Sequence, residues 1–246
     1  MTPILALLRV SIRQALPVRR SVMLAILETA PGLIYLFATT NRTADAAFQG
    51  AVEIGAGTYF ALVLPGVSIV IAAGVLGNER RDLTLSFIAL RPIPRVGIAA
   101  TKLTAAVTAA FALNLVGAVV LGGSHAIRSG NWSFFGALAA GALVATIAYA
   151  SVYVPLGFMT DRAVLIGVAY LLIFENGIAA LLTGLAALSP WRVGISVFAD
   201  LADGARLILD SSTAPLSLGR ALVTTAIYVA VSIGITTRLL RKRDLA

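Results

Sequence analysis

Apolar residues run along this chain in long stretches, and its charged residues gather in short groups between them. A helix needs roughly 20 largely apolar residues to cross about 30 Å of hydrocarbon. Six stretches meet that length: Val22 to Thr40, Ile54 to Gly77, Val96 to Gly122, Phe134 to Thr160, Ala163 to Leu188 and Ala221 to Thr237. The third and fourth exceed what a perpendicular span needs, which predicts tilt or extension beyond the headgroups. Ahead of them, Pro3 to Leu16 keeps a different rhythm. Ile4, Leu8, Ile12 and Leu16 recur every fourth residue, Leu5 and Ala15 widen the stripe, and Arg9 and Arg13 stand opposite. That is the pattern of a basic amphipathic helix lying in the headgroup plane. Pro17 and the Arg19-Arg20 pair separate it from the first span. The predicted fold is therefore all-α: an interfacial helix over 3–17 and six transmembrane helices, forming one transmembrane domain over 1–246.

Composition narrows the function classes. Of 246 residues 59% are hydrophobic and 12% charged, whereas soluble domains carry about 25% charged residues. The chain has no cysteine and a single histidine, His125. Disulfide frameworks, thiolate chemistry and histidine metal clusters are therefore not expected. No Ser, His or paired-carboxylate constellation has catalytic spacing, so no catalytic site is expected on this chain. The net charge of +8 belongs to residues flanking apolar runs, which argues for topology rather than nucleic acid.

Arginine and lysine set the expected orientation. Arg9, Arg13, Arg19, Arg20, Arg80, Arg81, Arg91, Arg95, Lys102, Arg162, Arg238, Arg241, Lys242 and Arg243 fall in one set of segments. Arg42, Arg128, Arg192, Arg206 and Arg220 fall in the other. Fourteen against five, with an even number of spans, predicts that both termini are cytoplasmic. Ala44-Asp45-Ala46 imitates a signal-peptide cleavage site, but the preceding stretch is too long for one, and Glu28 and Pro31 interrupt it. It is read as a retained helix.

Polar residues inside the spans are candidates for function, because a carboxylate near the bilayer centre costs at least ~2.5 kcal/mol on insertion scales. Glu175 lies about 18 Å into the fifth stretch at 1.5 Å per residue. It either lines a route or makes a structural hydrogen bond, with Asn114 or a threonine as partner. Glu28 sits about 10 Å into the first stretch, where pairing with Arg20 favours a structural role. Pro31-Gly32, Pro65-Gly66 and Pro155 mark expected kinks. Ser189 to Arg220 is long for a bare connection. Its interspersed Val193, Val197, Leu201 and Ile208 predict short helices dipping into the outer interface, with Trp191 as a headgroup anchor.

The connection between the second and third stretches holds the most information. Asn78 is placed to cap a short helix, Glu79 and Asp82 suit its positive end, and Leu83, Phe87 and Leu90 share one face before Pro92 and Pro94 stop it. Together Glu79, Thr84-Leu85, Arg91-Pro92-Ile93-Pro94-Arg95 and Lys102 resemble the corresponding loop of permeases of the ABC-2 type exporter family. The interfacial helix, span number and chain length are similar to that family throughout. Leu83 stands where the family usually has glycine.

The resemblance implies that residues 78–95 form a cytoplasmic coupling loop that enters a cleft of a separate ABC ATPase. Glu79, Arg80, Arg81, Asp82, Leu83, Thr84, Leu85 and Phe87 would make that contact. Spans two and five line the central route in such permeases, so Tyr59, Glu175 and Asn176 become substrate-path candidates, and 189–220 resembles a re-entrant outer gate. The chain has no G-x-x-x-x-G-K-[ST] phosphate loop. ATP and Mg2+ would reside on the ATPase, two copies of which would serve two copies of this permease in a bacterial inner membrane. The competing expectation is an ATP-independent secondary carrier or a structural membrane subunit, although no half-to-half repeat of the kind carriers show is visible.

Overall fold

A computed structural model describes residues 3–82, 93–178, 188–209, 213–214 and 216–243. Every regular element among them is a helix. We label them α1 (Pro3–Ala15), α2 (Val18–Thr39), α3 (Ala44–Arg81), α4 (Arg95–Ser129), α5 (Ser133–Met159), α6 (Ala163–Ala169, running on as π-helical turns over Tyr170–Ile178), α7 (Pro190–Leu201), α8 (Ala205–Ile208) and α9 (Leu218–Arg243). Five of them, α2, α3, α4, α5 and α9, are long and apolar enough to cross a membrane. The apolar α6 begins where the fifth stretch was expected; the remainder of that stretch, 179–187, lies outside the described residues. The chain is an all-α, multi-pass membrane protein.

The break after α1 falls where proline put it: Pro17 is extended, with φ −65° and ψ 132°, and α2 starts at the next residue. The face that α1 buries differs from the expected stripe. Leu7, Ser11 and Ala15 pack inward, chiefly against α4, while Ile4 and Leu5 stay exposed. Leu8, Ile12 and Leu16 are half-buried at the margin, so a neighbouring row led by Leu7, Ser11 and Ala15 meets the protein and only the start of the stripe is open.

At the centre, α5 packs against α3, α4, α7 and α9. Contact between α3 and α5 requires glycine. A Cβ on Gly157 would stand 2.1 Å from the Ala73 carbonyl oxygen, and one on Gly77 3.1 Å from that of Gly157. This corrects the expectation that a new helix begins at Asn78, since α3 continues through it to Arg81. Gly77 marks a close crossing rather than a stop. Pro31 and Pro155 are carried inside α2 and α5. Pro65 follows π-helical turns over Gly55–Val63, where the Leu64 N–H reaches back five residues to Tyr59. A proline ring obstructs the carbonyl four residues earlier and offers no N–H, and the wider register accommodates both defects.

Candidate functional site

Among the described residues, three of the polar clusters that interrupt this apolar interior involve the candidate residues. The first crosses the bundle from α3 to α5. The Asn114 side-chain amide on α4 donates to Ser68 Oγ at 2.9 Å and Thr146 Oγ1 at 2.7 Å, and Tyr59 Oη donates to the Asn114 carbonyl at 2.8 Å. Asn114 is therefore engaged with Ser68 and Thr146, not with Glu175. Glu28 lies beside this seam. It is wholly buried, and neither carboxylate oxygen has a hydrogen-bond partner among the described residues. A Cβ on Gly117 would fall 2.3 Å from Glu28 Oε2 and 2.6 Å from Tyr59 Cε2, so the carboxyl occupies the space that the absent side chain leaves. Its expected pairing with Arg20 is not formed. Arg20 Nη2 donates to the Ala15 carbonyl at the end of α1.

The second cluster surrounds Glu175, also wholly buried, on the π-helical part of α6. Tyr149 Oη on α5 donates to Oε2, and Ser189 Oγ, immediately before α7, donates to Oε1 at 3.0 Å. Tyr170 and Arg192 join the same group. Ser189 thus lies level with Tyr149, deep along α5. From there α7 climbs toward the start of α5: Gly194 touches Gly141 and Ala145, and Phe198 touches Phe134. A Cβ on Gly194 would sit 2.7 Å from the Gly141 carbonyl oxygen, an approach that only glycines on both helices allow. Every residue from Pro190 to Ala199 is buried. Trp191, expected to anchor at the headgroups, is buried too, with the Arg192 guanidinium 5.0 Å from its ring centre. Asp200 ends α7 at the surface. Its hydrogen bond from Arg206 holds the carboxyl below the usual aspartate range.

The third cluster occupies the arginine-rich end. The Lys102 ammonium, fully buried, pairs with Glu79 on α3 and donates to Ser11 Oγ on α1 at 2.8 Å. One ion pair with one hydroxyl therefore joins α1, α3 and α4 at the base of residues 83–92. Arg80 pairs with Asp161 and donates to the Met159 carbonyl at 3.0 Å, gripping the end of α5. Arg81 bonds Asn78, and Arg81 and Asp82 are exposed. Of the expected ATPase-facing residues, Glu79 is turned inward, Arg80 is half-buried, and Leu83, Thr84, Leu85 and Phe87 lie outside the described residues.

The family model described as ABC-2 family transporter protein matches residues 15–186, from the end of α1 through α6 and beyond. The chain belongs to this family. No curated protein matches it. As an ABC-2 family member it is a membrane permease of ABC transporters, a class that works with an ABC ATPase partner. Within this permease Tyr59 and Glu175 are both buried inside one copy, and the π-helical turns that carry them touch. Asn176 follows Glu175 in the helix, its side chain outside the described residues.

Sequence reasoning missed Tyr149, Ser189 and Ser11. Two of them carried a signal. A tyrosine within an apolar span has a hydroxyl that must find an acceptor, and Ser11 sits in the Leu7-Ser11-Ala15 row, one position from the apolar stripe.

Proposed function

We propose that this permease is the membrane half of an ATP-driven exporter in a bacterial inner membrane. Two copies work with two copies of a separate ATPase, which holds ATP and Mg2+. Both termini and the α3–α4 connection are cytoplasmic. The chain forms a single transmembrane domain.

The observation that carries the reading is the Glu79–Lys102–Ser11 lock. Residues 83–92 connect, in sequence, two helices that this lock joins. Separating its charges would strand each in a poorly solvated site, at about 3–5 kcal/mol for a broken buried pair. A displacement of the connection is therefore passed to α1, α3 and α4 together. In this reading Arg81, Asp82, Leu83, Thr84, Leu85 and Phe87 face the ATPase, Arg80 flanks them, and Glu79 transmits from within. Glu175 holds the start of α7 against α5, and substrate passes the helices it organises. What supports that role is that both its oxygens are already engaged, by Tyr149 and Ser189.

The test is Asp82→Arg, examined by copurification of the ATPase subunit with the tagged permease. Juxtaposed like charge at an interface costs several kcal/mol, so retained ATPase should fall about tenfold or more while the permease alone keeps its thermal midpoint. Undiminished ATPase retention would remove this surface from the contact.

A further inference from the structure

Beside the Glu79–Lys102 lock, on the opposite flank of α3, a cleft opens between the start of α2, the end of α3 and the α5–α6 turn. It holds about 100 Å3 of water-accessible space, several times the ~10–15 Å3 that one water requires on that measure. Its polar wall is formed by Arg20, Asn78, Arg81 and Thr160. Asp161 is the acidic residue lining it, and that carboxylate is already paired with Arg80. Glu79 is drawn away to Lys102. Two guanidinium groups consequently face the cleft with no carboxylate of their own among the described residues. The Arg20 Nε is buried and has no hydrogen-bond partner among the described residues. Arg81 spends one N–H on Asn78 Oδ1, at 2.6 Å, and is otherwise exposed.

The other wall is apolar. Val70 and Val164 line it, and from Val164 the surface continues onto Leu165 and Val168 of α6, both exposed. A site with planar donors at one end and an open aliphatic face at the other matches a phosphate group attached to hydrocarbon. Arginine recognises phosphate through parallel N–H donors, and basic pockets at the ends of membrane helices hold anionic headgroups.

We propose that this cleft binds a phosphate group, supplied by an anionic phospholipid whose headgroup meets Arg20 and Arg81 and whose acyl chain lies along α6. The site ties the α1–α2 break, the end of α3 and the α5–α6 turn to one ligand. It does not depend on the ATPase, so its test needs only the permease.

The full-length permease, purified without ATPase, is titrated with phosphatidylglycerol and phosphatidylcholine of matched chains and read by native mass spectrometry. A separate arm titrates inorganic phosphate. Phosphatidylglycerol should be retained in preference. Arg20→Gln and Arg81→Gln should each weaken retention about fivefold, as expected for one charge near an anionic headgroup, and the double variant should abolish the preference. Arg9→Gln with Arg13→Gln, which alters the basic side of α1, should not. Arg81 is exposed, so its single variant remains informative even where the double variant fails to fold. If inorganic phosphate binds in the wild type, is lost in Arg81→Gln and displaces no lipid, the phosphate site stands with a soluble ligand as its source. Retention of both ligands by folded Arg81→Gln and Arg20→Gln would overturn the proposal.

Discussion

Glu28 and Glu175 are equally cut off from solvent within the same bundle, yet their surroundings are opposite. Glu175 receives Tyr149 on one oxygen and Ser189 on the other. Glu28 receives nothing among the described residues and rests in the space left by Gly117. The sequence leaves the first open between a route and a structural hydrogen bond, and suggests an ion pair for the second. Geometry shows the first to be a junction between α5, α6 and the start of α7, and the second an unanswered carboxyl between α2 and α4. Depth in the membrane is therefore a poor guide to what a carboxyl does. The number of donors that converge on it separates the two cases.

The largest expected effect tests the junction. Glu175→Ala leaves two buried hydroxyls unanswered, each at about 1–3 kcal/mol, although partner exchange within membranes lowers such costs. A loss of about 2 kcal/mol, read as a lower thermal midpoint in detergent and earlier proteolysis around α7, is expected. Glu175→Gln, which keeps one acceptor, should lose about half as much. A Glu175→Gln permease of wild-type stability that no longer transports would instead restore the carboxylate to the substrate route.

A smaller effect, of the opposite sign, is expected on the other side of the comparison. Glu28→Leu removes a buried polar group that has no partner, so stability should hold or rise by up to about 1 kcal/mol. A loss of 2 kcal/mol or more would show that Glu28 is answered by a group beyond a single copy and would erase the contrast with Glu175.

Asp200 supplies a solvated reference and the smallest effect. Its carboxyl is lowered chiefly by the Arg206 hydrogen bond. The pair's contribution is thus present above the ordinary aspartate range of about 4 and is lost as pH falls through the lower folded value. Exposed pairs contribute at most about 1 kcal/mol. Asp200→Asn should therefore lower stability by a few tenths of a kcal/mol at neutral pH, leave strongly acid pH almost unchanged, and so flatten the acid side of the thermal stability profile. An acid limb as steep as that of the wild type would assign it to other groups.

The helices were legible because lipid demands length, and the α1–α2 break because Pro17 cannot continue a helix. What misled was information about neighbours. Gly77 reads as an ending until Gly157 is seen against it. Twelve residues from Pro190 to Leu201 carry the same pattern whether their apolar side meets headgroups or α5. Arg20 and Glu28, eight residues apart, are separated by about 12 Å along a helix, a span that already argued against direct pairing. Glu79 reads as a surface residue of the connection until the buried ammonium of Lys102 on α4 is seen paired with it. The Arg20–Arg81 cleft was illegible in principle, since its two cations are 61 residues apart in the chain and meet only through folding.

The glycine crossings have a mechanical consequence. Where α3 and α5 run backbone to backbone, and α5 and α7 do the same, no side chains remain between them to slide or re-pack, and close-packed interiors deform little. These three helices form a stiff spine. The rest of the bundle holds α2 and α9 less closely, since their apolar windows are only 28% and 17% buried against 78% and 72% for α3 and α5. A stroke delivered at the arginine-rich end would tilt the spine as a lever, with α2 and α9 yielding against the surrounding lipid.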